Sequence, residues 1–457
     1  MTDELDREML HAVAAYLKRV AASESDDQHA VKRTPLGDVI SEHVGADASQ
    51  IAVVAESIAD HRLVDADIAL QTLAGAEGTL IGVGGGEQRL HQSFAELIAN
   101  PYARFQTGPV DYAERASGPS STRRVVAMGI WLLVFEGTPL AVLQRAASPR
   151  SGRDSATLEV LAGDHDVTGA FLARVREVMI EKSVLRGQVL SFQPTQFGHE
   201  AGATFLPRPS VAADDIVLAD GVLDEVVRHV VGIGEHRDEL LRTGQHLKRG
   251  VLLYGPPGTG KTLTIRHLAS RATEATVVLL TGDSIRFIPY ATEIARTFQP
   301  SIVVLEDIDL VAMERHMSPQ PLLFEVLEAL DGLAGDADVT FVMTTNRVEV
   351  LEPALAERPG RVDLAVEIPR PGRREREQLL RRYAGGLPFS DAAISSAAAA
   401  TDGVTGSFAR ELIRRAVLAA AIESQPVTDE HLARALDGLM DSRQHLTRRM
   451  LGAEAGG

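Results

Sequence analysis

The sequence predicts an α/β protein: a parallel-sheet core built on a glycine-rich strand–loop–helix, followed by a four-helix bundle and preceded by an N-terminal helical region and a small α/β domain. Three observations predict it. A short apolar strand, Val251 to Tyr254, runs into GPPGTGKT at 255–262 and then directly into helix-forming sequence. Two further runs, SIVVLEDIDL at 301–310 and VTFVMTTNR at 339–347, have the continuous Val/Ile/Leu character of strands buried on both faces, and both end in polar residues. Beyond Arg373 the apolar residues recur at helical spacing in successive segments, 373–384, 390–400, 406–423 and 428–440.

Composition sets the outer limits. At 457 residues the chain is too long for one ordinary domain, and hydrophobic residues, 45% of it, suffice for several cores. Aromatic residues are only 4%, with Trp131 the single tryptophan, so the cores rest on Leu, Val, Ile and Ala. The formal net charge of -17 argues against a duplex-binding face, because affinity for nucleic acid comes from neutralising phosphates. Nucleic acid is therefore not an expected partner. With no cysteine, disulfides, thiolate zinc sites and cysteine nucleophiles are excluded together. The first residues, MTDELDREMLHAVAAYLKRV, carry charges throughout and hold no apolar signal core. The greasiest run, Val125 to Phe135, is far shorter than the roughly 20 residues a membrane helix needs, and reads as a buried strand. A soluble, cytoplasmic protein with no membrane partner is the expectation.

Along the chain, Leu5 to Val20 has the spacing of an amphipathic helix, Ser23 to Arg33 is a polar loop, and helical patterns continue over 39–74 with breaks at Gly45 and Asp60. The run GTLIGVGGGEQRL at 78–90 lacks the spaced dinucleotide fingerprint and reads as a turn. Turn formers over 101–121 predict a linker. Two strands follow around Gly137-Thr138-Pro139, with another at 157–163, a helix over 169–182 and a strand at 188–192. Pro207 and Pro209 mark a boundary. The expected division is thus a mainly helical region, 1–105; a small α/β domain, 122–207, that serves a substrate or partner; the parallel-sheet domain, 211–372; and the helical segment with its tail, 373–457.

The chemistry concentrates in the second half. In Gly255-Pro256-Pro257-Gly258-Thr259-Gly260 the glycines allow a tight bend whose N–H groups converge on an anion, and the helix opening at Lys261-Thr262-Leu263 adds the positive end of its dipole. Lys261 supplies a cation for phosphate oxygens and Thr262 a hydroxyl for magnesium. Glu306 and Asp307 emerge at the carboxyl edge of the sheet beside that loop. Such a pair divides two tasks, one acid holding a hydrated magnesium ion and the other polarising a water. Asn346, at the end of the third strand, stands where an amide senses phosphate or orients water.

With these motifs goes TTNRVEVLEPALAERPGRVD at 344–363, and the block resembles the AAA+ superfamily, in particular the AAA clade. LLFEVLEALDGL at 322–333 fits the same pattern, and TDGVTGSFARELIRRA at 401–416 resembles the lid stretch that flanks the nucleotide in that family. The likeness covers residues 211–440. It implies a P-loop ATPase core with a four-helix lid, bound ATP and Mg2+, and nucleotide contacts from Gly406 and Ser407 of the lid and from Asp215-Ile216 beside the adenine. It also implies that Arg358 and Arg361 act as arginine fingers on a neighbouring copy's γ-phosphate, hence a homo-oligomeric ring, expected to be a hexamer. The activity implied is ATP hydrolysis coupled to chaperoning or remodelling of a protein client. The Glu306-Asp307 order, MTTN and RPGRVD are similar, more narrowly, to the AAA chaperone that assembles the mitochondrial respiratory chain and to its soluble bacterial relatives.

Three departures stand out. The acids are in reversed order, so that by position Glu306 serves magnesium and Asp307, one methylene shorter than the usual glutamate, polarises water. One extra residue lies between Pro353 and Arg358. The segment Gly282 to Phe298, where the family threads substrate with an aromatic-hydrophobic-glycine loop, is short and lacks the glycine. Phe287 and Tyr290 are there either to line a pore or simply to pack. A slow, nucleotide-gated scaffold is accordingly a second function class, and a DNA-associated motor a third that the charge disfavours.

Overall fold

The computed structural model describes residues 32–148, 152–194, 201–309, 334–349 and 362–441, with the single positions 328, 329, 332 and 351. The chain forms two compact units, the first running to Val184 and the second comprising Leu185–Pro194 and the chain from Ala203 onward. The helix expected over Leu5 to Val20 lies outside the described residues.

The first unit is a seven-stranded sheet. Its strands are β1 (Val53–Ile58), β2 (Thr79–Val83), β3 (Thr107–Gly108), β4 (Asp111–Ala116), β5 (Thr122–Phe135), β6 (Thr138–Arg145) and β7 (Ala156–Ala162). The order is β1-β7-β6-β5-β2-β3, with β4 also pairing β5, and the pairings are antiparallel. Four helices accompany it: α1 (Pro35–Val44), α2 (Leu63–Ala74), α3 (Phe94–Ile98) and α4 (His165–Glu181). Side-chain alternation decides which face each helix covers. Leu140 and Val142 of β6 pack with Leu63, Leu70, Phe171 and Val175 of α2 and α4. Their neighbours Ala141 and Leu143 pack on the other face with Leu36, Ile40, Phe94 and Leu97 of α1 and α3.

This arrangement corrects the expected division. Residues 1–105 are not a separate, mainly helical region, because β1 pairs with β7 and β2 with β5. Nor is 101–121 a linker, since it contributes β3 and β4 to the same sheet. The physical reason is that β1, VVAESI, sits inside a stretch with helical spacing, and β4, DYAERA, holds few apolar residues to announce a strand. Both are strands through long-range pairing, which local pattern does not reveal.

The strands at the end of the expected 122–207 domain belong to the second unit. Its sheet joins β8 (Val189–Pro194), β9 (Ala201–Leu206), β10 (Arg249–Tyr254), β11 (Thr276–Thr281), β12 (Ser301–Glu306), β13 (Val339–Thr345) and β14 (Leu364–Glu367), in the order β14-β10-β13-β12-β11-β8-β9. From β14 through β8 the pairings are parallel. The central strands β10, β12 and β13 are almost wholly buried, as continuous apolar runs require. Helices α5 (Val222–Val227), α6 (Lys261–Arg271) and α7 (Ile288–Thr297) accompany this sheet. The core gathers Val226, Val251, Leu253, Ile265, Leu268, Val277, Val304 and Val342.

Four helices follow: α8 (Arg373–Ala384), α9 (Asp391–Ala400), α10 (Gly406–Ile422) and α11 (Asp429–Met440). Their limits lie within one residue of the expected ones. They share a core of Leu380, Ile394, Ala398, Phe408, Leu412 and Leu432. Local chemistry sets the boundaries: the Ser390 hydroxyl caps α9 by accepting from Ala393 N, and Gly385, at φ 54°, ends α8. Among the described residues no helix is long and apolar enough to cross a membrane.

Candidate active site

The phosphate-sized bend forms where β10 ends. Gly255 has φ 141° and Gly258 φ 78°, conformations that side chains resist. Space forbids a side chain as well. A Cβ on Gly255 would come within 2.2 Å of Ile368 O, and one on Gly258 within 2.6 Å of Ser407 Oγ. The close approach at Gly258 also shows where the lid sits, since Ser407 lies in the first turn of α10 and Thr405 directly precedes that helix. The N-termini of α6 and α10 thus border one cleft, of about 840 Å³.

Lys261, in the first turn of α6, is buried, and its Nζ donates to Gly255 O at 2.7 Å and Pro256 O at 2.9 Å. Burial lowers its pKa, while the carboxylates of Asp307 and Asp309 work to raise it. Thr259 Oγ1 donates back to Pro256 O at 2.9 Å, which stiffens the bend. Thr262, by contrast, is exposed on the cleft.

Across the cleft stand the acids. Asp307 follows β12 with φ 55°, a left-handed conformation uncommon for any residue but glycine. Two bonds to the end of β13 hold it there: Asp307 N donates to Thr344 Oγ1 at 3.0 Å, and Asn346 Nδ2 donates to Asp307 Oδ1 at 3.0 Å. Glu306 is half-buried and does not line the cleft, yet its Oε1 is shut off from solvent without a hydrogen-bond partner among the described residues. An unmatched buried carboxylate oxygen is costly unless a cation or donor meets it. Together with the exposed Thr262 hydroxyl, this donor set fits a hard divalent cation such as magnesium.

The apolar end of the cleft is formed by Val211, Ile216, Val217, Leu218, Val222, Leu379 and Tyr383. Asp215 pairs with Arg382 of α8, which also donates to Asp214 O at 3.1 Å. The backbone N–H of Ala212 and then the Arg382 guanidinium hold the Asp215 carboxyl below its ordinary range. The ring of His267, on α6, donates from Nδ1 to Val211 O at 2.8 Å and so fastens the start of this segment.

The cleft is lined by Pro257, Gly258, Thr259, Gly260, Lys261, Thr262, Leu263, Asp215, Ile216, Asp307, Asn346, Gly406 and Ser407. Gly255 and Pro256 stand behind it and supply the carbonyls that hold Lys261. Arg358 and Arg361 lie outside the described residues. Sequence reasoning missed Asp309, which is buried behind Asn346, and Arg382, which reaches the cleft from the lid. Asp309 had a signal, being the third acid in LEDIDL; Arg382, one arginine among many in α8, had none.

Residues 251–370 match the family model described as the ATPase family associated with various cellular activities (AAA). The chain carries an AAA ATPase domain. Its relatives include the ATP-dependent zinc metalloprotease FtsH 2 of Sphaerobacter thermophilus, 32% identical over 54% of this chain and 38% of that protein. The proteasome-activating nucleotidase of Methanothermobacter thermautotrophicus is 33% identical over 51% of this chain and 61% of that protein. The 26S proteasome regulatory subunit S10B homolog B of Arabidopsis thaliana is 39% identical over 32% of this chain and 40% of that protein. The chain therefore spans less than two thirds of the length of these relatives. The bend at 255–262, the acids after β12 and the end of β13 all lie within the AAA match.

For the segment after β11, the sequence leaves pore-lining and packing both open. Gly282–Phe287 is a 3-10 turn leading into α7. Phe287 is buried, its ring 6.2 Å from Phe192 of β8 and 6.4 Å from Tyr290.

Proposed function

We propose that this chain is an ATP-hydrolysing ring protein, assembled as a homo-oligomer, that remodels or chaperones a protein client. The observation that carries the ATPase reading is the juxtaposition of the Lys261 bend with the Asp307–Asn346 pair inside one cleft. Adenine lodges at the apolar end beside Asp215 and Ile216, and the phosphates lie along the N–H groups from Pro257 to Thr262. Thr262 and Glu306 would hold magnesium, which would supply positive charge to offset that of the phosphate oxygens. Asp307, fixed by Asn346, accepts a proton from the water whose oxygen bonds to γ-phosphorus as the bond to the β–γ bridging oxygen breaks. The phosphate leaves with the new P–O bond and ADP keeps the bridging oxygen. Arg358 and Arg361 of a neighbouring copy stabilise the charge on the transferring group, which makes assembly part of the site. A hexamer is the ring this reading takes.

Action on proteins is supported by the relatives' names, which speak of an ATP-dependent metalloprotease, a proteasome-activating nucleotidase and a proteasome regulatory subunit. The narrower kinship with the respiratory-chain assembly chaperone rests on the Glu306-Asp307 order, MTTN and RPGRVD alone. The burial of Phe287 favours a second reading, a nucleotide-gated assembly component that does not thread its client. Tyr290→Ala separates the two: threading loses client remodelling with ATP turnover intact, whereas gating without threading leaves both unchanged.

The ATPase reading is tested with Asp307→Asn. That variant is expected to bind ATP as the wild type does and to hydrolyse it about 10²–10⁴-fold more slowly, the usual cost of removing a water-activating group. Single-turnover phosphate release together with equilibrium nucleotide binding measures both, and full turnover in the variant contradicts the assignment.

A further inference from the structure

Asp309 is a carboxylate near the site that the proposed chemistry does not use. It lies three residues beyond Glu306, past the end of β12, and is 3% exposed. A carboxylate so far from solvent is costly unless its bonds serve something. Its Oδ1 accepts twice, from the last residue of β13 and from the residue after it: from Thr345 Oγ1 at 3.0 Å and from the backbone N–H of Asn346 at 3.2 Å. The same Thr345 hydroxyl oxygen accepts from Arg347 N at 2.9 Å, so the chain on both sides of Asn346 is tied to one point. Asn346 in turn donates from Nδ2 to Asp307 Oδ1 at 3.0 Å.

We propose that Asp309 is a positioning residue for hydrolysis, acting on Asp307 through Asn346. A short β12–β13 relay results: the buried carboxylate fixes the backbone of Asn346, the Asn346 amide fixes the carboxylate of Asp307, and Asp307 faces the cleft. Asp307 needs such a brace because its left-handed backbone does not hold itself in place. Its side chain is also one methylene shorter than a glutamate, so a small drift moves it out of reach of a water. Among the described residues no hydrogen bond of the relay reaches the phosphate bend or the apolar end of the cleft, so its effect on nucleotide affinity is limited to the field that its carboxylates exert on Lys261. The inference rests on the ATPase reading above and assigns the residue that orients its catalytic acid.

The test compares Asp309→Ala and Asp309→Asn in the full chain, with steady-state ATP turnover, equilibrium ATP binding and thermal melting measured for each. Asp309→Ala removes both acceptor bonds and is expected to lower kcat about 10–100-fold, the usual effect of deleting a bond that orients a reacting group, with KM and ATP affinity within about twofold of wild type. Asp309→Asn keeps an acceptor oxygen and is expected to recover most of that loss. In an Asn346→Ala background, Asp309→Ala is expected to cost little more, because its route of action is already cut. Unchanged kcat in Asp309→Ala overturns the proposal. So does a full, additive loss in the double variant, or a loss that follows melting temperature with no recovery in Asp309→Asn. A wild type that does not hydrolyse ATP sinks the ATPase reading itself and the relay with it, whereas an active wild type with an indifferent Asp309 sinks the relay alone.

Discussion

The two sheets place their polar residues differently. In the antiparallel unit Asp67, on α2, is fully buried and accepts from Val126 N at 3.0 Å, Gln144 Nε2 at 3.2 Å and Gln71 Nε2 at 2.8 Å. Gln144 in turn accepts from Trp131 Nε1 at 2.9 Å. In this Asp67–Gln144–Trp131 network the donors and acceptors turn inward and are matched, which ties helix to sheet. In the parallel unit Lys261, Asp307 and Asn346 stand where β10, β12 and β13 end, and they face a cleft. Next to Asp307 in the chain, Glu306 Oε1 is buried without a hydrogen-bond partner among the described residues. Satisfied interior polarity specifies a fold, and polarity gathered at the carboxyl edge of a parallel sheet specifies chemistry.

The comparison breaks most readily at Asp67. Asp67→Ala strands a buried N–H and a buried amide and is expected to destabilise the first unit by about 3 kcal/mol, with ATP affinity unchanged. Trp131, the single tryptophan, reports that unit by its fluorescence during urea unfolding. A loss of ATP affinity with no loss of stability would reverse the roles assigned to the two sheets.

A smaller effect is expected with pH. Burial first, and then the neighbouring Arg62, push the pKa of His61 down to about 4. The unfolded chain therefore takes up a proton before the folded one does. Stability is complete above the unfolded value of about 6.5 and is lost as pH falls toward 4, by about 2 kcal/mol at pH 5. His61→Gln should flatten that part of the Trp131 unfolding profile, and an unaltered profile would assign the pH dependence elsewhere.

Smallest is the lid's surface. Hydrogen bonds from Arg414, and then Arg415, hold the Glu411 carboxyl at about 2. This contribution is present above the ordinary glutamate range and is lost as pH falls through about 2. Because Arg414 is largely exposed, Glu411→Gln should cost only about 0.5 kcal/mol near neutrality, measured by thermal melting. A loss several times larger would mean that α10 depends on this pair.

Much of the parallel unit was legible because its elements are local. The bend at 255–262 needs glycines where side chains collide, and α8 to α11 announce themselves by spacing. The antiparallel unit was legible only in part: β5, β6, β7 and α4 were read, but β1 and β4 are strands only through partners about a hundred residues away or through the long β5. The strands β8 and β9 were misassigned for a related reason: QVLSF reads as a strand anywhere, and only the pairing of Val189 with Val277 places it on the second sheet. Within the site, Asp309 was visible as a residue but not as a contact, since its partners Thr345 and Asn346 come from another strand.

Isothermal titration of the wild type and of Lys261→Ala with ATP and magnesium tests the central claim, that the bend at 255–262 holds a triphosphate. The wild type is expected to bind, and the variant to bind about 100-fold more weakly, because the anion's charge then goes unmet in a partly buried site. A wild type that takes up no heat-detectable ATP, or a Lys261→Ala variant of undiminished affinity, would contradict the account.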